Sequence, residues 1–485
     1  MPTHSKITWW IDSLLLITFF SVIFFLWLGS RPLFVPDEGR YAEIAREMFT
    51  SGNYITPYLN EIKYFEKPIL FYWLGAAAIK IGGLNLWALR SVNAVLGLMG
   101  CLLTYIVTRQ LYDRLTGLLA ALILGTSALF FVMTHMISLD LPVTVFISAS
   151  LYFFLLGIQS CTRYYFWGAA ACAALAVLTK GLIGIVFPLM IIGVWISLTK
   201  QWKLLKQCYI PSSLFIFFII AAPWHYIVNL YHPEFFHFYF IEQQFMRYTT
   251  NQIGHQEPAW FFIPYFIVGC FPWCFFMPQA LFSAVKEVMG PHRSGYPTEL
   301  FFLLWIILIF AFFSFSQSKL IPYILPVFPP LAILIAKYLR DRYAPHLIII
   351  ISICTGLFFA LSLTLLAKHD HRSILPLAVT LKTMMQPQDD VIAYNQYYQD
   401  LPFYLERRVS ILNWRNELTF GMQHQDTSAW MINEPTFWQR FHSHQRVFVV
   451  MSISEYNVLR HNHPEERLFI LDKTKSNLLV SNKIN

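Results

Sequence analysis

Apolar runs of bilayer-spanning length recur along residues 9–367, and this repetition restricts the fold more than any motif does. The first, Trp9 to Leu28, is about as long as a helix needs to cross hydrocarbon. It is too long for the core of a signal peptide and no small-residue cleavage site follows, so it reads as a retained first span. Further runs lie near 86–108, 115–133, 141–158, 165–179, 181–199, 208–230, 259–281, 300–316, 320–336 and 346–367, which makes about eleven. Lipid offers no partner for a backbone N–H or C=O, so such runs must be helices. With 56% hydrophobic and 13% charged residues among 485, the chain lies outside the range of soluble domains. An α-helical polytopic membrane protein is the expected fold class.

A formal charge of +8 would suit a nucleic-acid partner, but the cations sit in short loops between apolar runs, where they act as topology signals. No nucleic acid is expected as a partner; membrane lipids are. One set of alternate loops collects Lys6, Arg109, Arg114, Arg163, Lys200, Lys203, Lys206, Lys286, Arg293, Lys337, Arg340 and Arg342, which makes that side cytoplasmic. The opposite side then receives the 31–73 stretch, the His135 to Asp140 loop, Lys180, the 231–258 loop, residues 317–319 and everything after about 368. The polar groups suited to chemistry thus face outward together. Seven cysteines lie in or beside apolar runs, so neither a disulfide framework nor a CxxC metal site is expected.

The composition changes after residue 367. Residues 368–485 are rich in Asp, Asn, Gln, His and Arg, with short apolar runs at Val391 to Tyr394, Val409 to Leu412, Arg446 to Ser452 and Arg467 to Leu471. These predict a small extracytoplasmic α/β domain following a membrane domain of residues 1–367, whose first outer loop covers 29–85.

That first loop contains the long polar stretch RPLFVPDEGRYAEIAREMFTSGNYITPYLNEIKYFEKPILFYW, from Arg31 to Trp73, with six carboxylates and five cations. Charges gathered between two spans mark a functional site by default. A short helix is expected to open near Asp37 and stop at Gly52, with Asp37 either its N-cap or a reactive acid. Tyr54 to Leu59 reads as extended, Asn60-Glu61 as a turn, and Lys67-Pro68 as the start of a second helix. Elsewhere each candidate has two readings. His135 and Asp140 in THMISLDLP are a helix start or active-site groups. Lys180 in LTKG snorkels to the interface or meets a lipid phosphate. The aromatic segment from Phe235 to Phe245 reads as an interfacial helix. His255 could be a metal ligand with a carboxylate such as Glu66, and Lys319 and Tyr323 in SKLIPY lie beside Pro322, Pro326, Pro329 and Pro330, which would break a regular helix.

The motifs PDEGRYAEIAREM, KYFEKPILFYW, LTKG, the histidine pattern around His255 and SKLIPYILP, spread over residues 30–335, resemble those of the bacterial lipid A aminoarabinose transferases. These belong to the GT-C superfamily, together with protein O-mannosyltransferases. The resemblance implies a glycosyltransferase of the bacterial inner membrane that moves a sugar from a polyprenyl-phosphate donor to a periplasmic acceptor. The most specific form would place 4-amino-4-deoxy-L-arabinose on lipid A phosphate, with consequent polymyxin resistance. The alternatives are another sugar, an amino hexose or mannose, and another acceptor, the lipopolysaccharide core or a protein hydroxyl. It further implies Asp37, Arg40, Tyr41 and Asp140 at the catalytic centre. Lys67, Lys319 and Tyr323 would meet the donor phosphate, and Glu66 with His255 would hold a divalent ion, zinc or magnesium. Two other classes fit the outward charges, a lipid transporter and a non-catalytic protein of the same fold. Against the first, the chain shows no paired half-chain symmetry and no ionisable series through the middle of the spans, and the second has no need of Asp37, Glu66 and Lys67 together.

Overall fold

The computed structural model describes residues 3–246, 257–290, 297–367 and 373–484, so His255 lies outside the described residues. Two compact units divide the chain. One contains residues 1–28, 66–71 and 90–363, and the other residues 29–65, 72–89 and 364–485. Much of the first loop belongs to the same unit as the C-terminal residues.

In the first unit, seven described helices are long and apolar enough to cross a membrane, or eight if one bent pair is a single span. The expectation of about eleven included shorter runs. Ile183–Thr199 is a 17-residue helix, and the 259–281 run is divided into Phe262–Gly269, a short 3-10 turn at Trp273–Phe275 and Met277–Met289. Pro272, which has no N–H to donate, stands at that division. The bent pair is Arg114–Gly125 and Ala128–Thr134, at 68° to each other. Thr126 Oγ1 and Ser127 Oγ turn back to the Leu122 and Ile123 carbonyls at 2.6 and 2.7 Å, which bends helices, and Trp273 Nε1 donates to Thr126 Oγ1 at 3.0 Å. The prolines of 322–330 produce a 3-10 segment, Ile321–Val327, before the α-helix Phe328–Arg340, as expected.

The first helix, Thr3–Phe25, carries a charge within its apolar length. Asp12 is buried and accepts from Tyr105 Oη at 2.7 Å, Arg109 Nη1 at 2.9 Å and Arg114 at 2.6 and 2.8 Å. The Arg109 guanidinium also lies over the Trp9 ring, 4.2 Å from its centroid. This knot joins the helices Thr3–Phe25, Leu86–Leu111 and Arg114–Gly125.

In the second unit, the helix Asp37–Ser51 ends at Gly52, whose φ of 71° is left-handed, as the sequence predicts. Strands β1 (Tyr58–Leu59) and β2 (Ile62–Lys63) form a hairpin turning on Asn60 and Glu61, both at positive φ. The Asn60 side chain then acts as a backbone rung. Its Nδ2 donates to Val409 O and its Oδ1 accepts from Val409 N, both at 2.9 Å. Gly39 allows an equally close approach, since a Cβ there would lie 2.7 Å from Asp400 N.

The C-terminal sheet has the order β5-β4-β3-β6-β8-β7. Its strands are β3 (Asp390–Ala393), β4 (Ser410–Leu412), β5 (Met431–Ile432), β6 (Val447–Ser452), β7 (Phe469–Lys473) and β8 (Asn477–Ser481). The first four are parallel with short helices between them, and β8 and β7 are added antiparallel. All four expected strands are present; β5 and β8 are additional.

Two predictions follow from these buried charges. Asp12→Ala would strand the largely buried Arg109 cation and cost roughly 3 kcal/mol, read as a lower melting temperature of the purified protein in detergent; an unchanged temperature would contradict the knot's role. In the second unit, burial and the neighbouring Glu43 push the Glu47 carboxyl well above its ordinary 4.5. The folded protein therefore keeps a proton that the unfolded chain releases, so this contribution to stability declines as pH rises from about 4.5 toward neutrality. Glu47→Gln, which can still accept from Glu61 N–H, should flatten the decline and raise the melting temperature at neutral pH. An identical pH profile for variant and parent would refute it.

Candidate active site

The helix Asp37–Ser51 is unusual in burying Glu38, Glu43, Arg46 and Glu47, and Glu38 and Glu43 each have an arginine partner. Arg31 clamps Glu38 with two bonds of 2.6 and 3.0 Å, and Arg46 clamps Glu43 with two of 2.7 Å. Glu38 also accepts from Phe34 N–H at 2.9 Å, satisfying a backbone donor next to the helix start. Asp37 is therefore not consumed as the cap: Pro36 occupies the N-cap position and no side-chain cap bond forms. Its carboxylate is 49% exposed and held by Arg40 Nη1 at 3.2 Å. Arg40 in turn reaches Glu417 at 3.4 Å, which is fixed by Gln399 at 2.8 Å. Tyr41 is buried, with its ring 6.3 Å from that of Tyr72. The geometry presents one accessible acid on a helix whose other carboxylates are buried.

In the other unit, a cavity of about 260 Å³ has Lys67, Lys180 and Tyr323 on its walls. Lys67 Nζ donates to the Glu66 carbonyl at 3.2 Å. Lys180 Nζ pairs with Asp140 Oδ1 and sits over the Tyr323 ring, 4.3 Å from its centroid. Asp140 is the first residue of the helix Asp140–Ser160, where it makes no side-chain cap bond. Its other oxygen accepts from Ser138 Oγ at 3.0 Å, and Asn93 Nδ2 holds that loop through Ser138 O at 2.9 Å. The capping reading of Asp140 gives way to an ion pair with Lys180. The Tyr323 ring rests on Phe313 at 5.0 Å.

The remaining walls are both apolar and polar. Leu182, Ile183, Val186, Phe312 and Phe313 supply hydrocarbon, while Gln243, Gln244, Ser316 and Ser318 supply polar groups. The glycine of LTKG is required here, because Gly181 has φ +107° and a Cβ would come within 2.6 Å of the Gln244 amide. Gln244 Oε1 also accepts Leu182 N–H at 3.2 Å. The aromatic segment containing both glutamines forms a π-helix, His237–Met246, which brings them to the cavity rather than leaving the segment only interfacial. Lys319 is buried, and its ammonium donates to Glu257 O at 2.7 Å and Ser316 O at 2.6 Å. It supports the segment that carries Ser316 and Ser318 and is absent from the cavity lining among the described residues.

Of the expected site residues, the structure thus brings Lys67 and Tyr323 to one cavity, with Asp140 behind it through Lys180. Asp37, Arg40 and Tyr41 share one helix of the other unit. Glu66 is described and His255 is not, and no group of three or more His, Cys, Asp or Glu side chains suited to a metal occurs among the described residues. Sequence reasoning missed Gln243 and Gln244. It treated Lys180 and Asp140 separately, although their shared outward assignment was a usable signal for pairing them.

Known proteins resemble both parts of the chain. Residues 9–239 match the family model for dolichyl-phosphate-mannose-protein mannosyltransferase, and residues 377–481 match that for the aminoarabinose transferase C-terminal domain. An undecaprenyl phosphate-alpha-4-amino-4-deoxy-L-arabinose arabinosyl transferase 1 of Proteus mirabilis is 35% identical over 334 residues, covering 68% of this chain and 59% of the relative. The corresponding transferase of Enterobacter sp. is 32% identical, covering 68% of this chain and 60% of the relative. The chain spans about three fifths of the length of the curated relatives it matches. The crystal structure of ArnT from Cupriavidus metallidurans bound to undecaprenyl phosphate superposes with a TM-score of 0.86 at 26% identity, covering 98% of each chain. An archaeal oligosaccharyltransferase, AglB from Archaeoglobus fulgidus, shares the fold at 13% identity and a TM-score of 0.57, covering 94% of this chain and 70% of that chain. Matched in its N-terminal half, its C-terminal domain and its whole fold, this polytopic membrane protein belongs to the aminoarabinose transferase-like family of the GT-C glycosyltransferase superfamily.

Proposed function

We propose that the protein transfers a sugar from a polyprenyl-phosphate carrier to an acceptor on the periplasmic face of the inner membrane, with 4-amino-4-deoxy-L-arabinose as the sugar and lipid A phosphate as the acceptor. The observation that carries this reading is the amphiphilic cavity, in which two ammonium groups, Lys67 and Lys180, share walls with aliphatic and aromatic side chains. A lone sugar would not call for the hydrocarbon wall, and a neutral lipid would not call for the lysines. A prenyl chain ending in a phosphate uses both. The similarity to a protein crystallised with undecaprenyl phosphate supports the same ligand class.

The reaction joins an acceptor oxygen to the anomeric carbon while the bond from that carbon to the carrier phosphate oxygen breaks. The electron pair leaves on the phosphate, where Lys67 and Lys180 offset the developing charge and Tyr323 donates a hydrogen bond. Asp140 holds Lys180 in position through their ion pair, and Lys319 acts at one remove by fixing the Ser316 carbonyl. A hydroxyl acceptor would require Asp37 as general base, with Arg40 orienting it. A phosphate acceptor is already anionic, so Asp37 and Arg40 would orient it instead, and Tyr41 would stiffen the helix on which both stand. Glu66 with His255 is the proposed divalent-ion pair; no step above is assigned to that ion.

Mass spectrometry of lipid A from cells with and without the protein tests the sugar and the acceptor. A protein-dependent pentosamine on phosphate is expected, whereas unchanged lipid A would overturn this acceptor and direct the search to core sugars and protein hydroxyls. With the purified protein, Asp37→Asn and Lys67→Ala should each lower transfer roughly 100-fold or more without changing the melting temperature; ordinary turnover by both would reject the site. Glu66→Ala should release bound zinc or magnesium as measured by elemental analysis, and an unaltered metal content would reject that ligand.

A further inference from the structure

The unit formed by residues 29–65, 72–89 and 364–485 contains a second cavity, of about 310 Å³, that shares no lining residue with the proposed active site. Three arginines, Arg407, Arg408 and Arg440, line it together with Trp430 and two carboxylates, Glu61 and Asp390. It lies at the amino ends of parallel strands, for Asp390 begins β3 and Ser410 begins β4.

The guanidinium groups are held in place without being used up. Arg440 donates to Asp390 Oδ2 and Ala429 O, both at 2.7 Å, and to Ser410 Oγ at 3.2 Å. Arg407 donates to Pro387 O and Asp389 O at 3.3 and 3.1 Å. Arg408 donates to Glu61 Oε2 at 2.5 Å and lies over the Trp430 ring, 4.4 Å from its centroid. That ring is anchored by its own N–H, which donates to Asn60 O at 3.1 Å. A guanidinium has five N–H donors, so Arg407 and Arg408 keep most of theirs available at the cavity. Three cations facing two anions leave the site selective for negative charge, and a planar fork suits a phosphate better than a lone ammonium does.

We propose that this cavity binds the phosphate of a phosphorylated saccharide, either free or as the headgroup of a lipid. Its size admits a sugar as well as the phosphate. The carboxylates of Glu61 and Asp390, which would repel a bare anion, accept hydrogen bonds from sugar hydroxyls or an amino group. The proposal concerns binding only, and it stands or falls independently of the transfer reaction.

Isothermal titration calorimetry on the full-length protein in lipid nanodiscs provides the test, with glucosamine 1-phosphate as the probe and inorganic phosphate and glucosamine as controls. The double variant Arg407→Gln/Arg408→Gln should bind the probe at least about tenfold more weakly, the scale of a lost charge-assisted bond. Glu61→Gln, which frees Arg408 and removes an opposing charge, should bind it several-fold more tightly. A merely structural role for these residues would not strengthen binding. Any probe held in the Lys67 cavity contributes equally to parent and variants. Displacement of the probe by lipid A in the disc assigns the ligand to a lipid headgroup, and its retention assigns it to a free sugar phosphate. Unchanged affinity in the arginine variant, equal affinity for inorganic phosphate, or weaker binding by Glu61→Gln would each overturn the proposal.

Discussion

A charge taken out of water must be matched by the protein itself, and three largely buried charges of the membrane unit meet that constraint in different ways. Asp12 is surrounded by Tyr105, Arg109 and Arg114, and Asp140 by Lys180 and Ser138, while Lys319 is bound by two carbonyls. The three differ in what they leave over. At Asp12 the matching is complete and the knot is structural. At Lys180 the ammonium is matched yet still forms a cavity wall, so a second anion can share it. Lys319 spends its charge on shaping the chain next to that wall.

The same logic governs the other unit by different means. Its long helix carries four carboxylates among 15 residues, and the burial of Glu38 and Glu43 is tolerated because Arg31 and Arg46 pair with them. Glycine at position 39 and the rung made by Asn60 then let backbone approach backbone where a larger or differently shaped side chain would intervene. The outcome is a stiff platform on which Asp37 is the accessible acid, positioned by Arg40 and, through Glu417, by the C-terminal residues of the same unit.

Features dictated by local chemistry were legible in the sequence. Length and apolarity identified most membrane helices, the proline series forced a 3-10 segment, and Gly52 ended its helix where left-handed backbone requires it. Features that depend on distant partners were not legible. Asp12 sits inside an apolar run, and Arg109 and Arg114 read equally well as topology signals. Gln243 and Gln244 are hidden in an aromatic segment, and only the π-helix turns them toward the cavity. The two-residue strand β5 and the terminal strand β8 owe their existence to neighbours already in the sheet, a tertiary effect that overrides weak local preference. Of the candidate residues, Lys67 and Tyr323 stand out in their motifs and share one cavity, whereas the contacts of Lys319 with Glu257 O and Ser316 O required coordinates.

The Asp12 knot also bears on how the protein is made. A ribosome delivers Asp12 to the membrane long before Arg109 and Arg114 have been synthesised, so the first helix reaches the bilayer with its carboxylate unmatched. Until those arginines arrive, that helix has reason to stay near water or in the insertion machinery. The first helix thus depends for its matching on residues about a hundred positions later, Arg109 in the last turn of Leu86–Leu111 and Arg114 just after it.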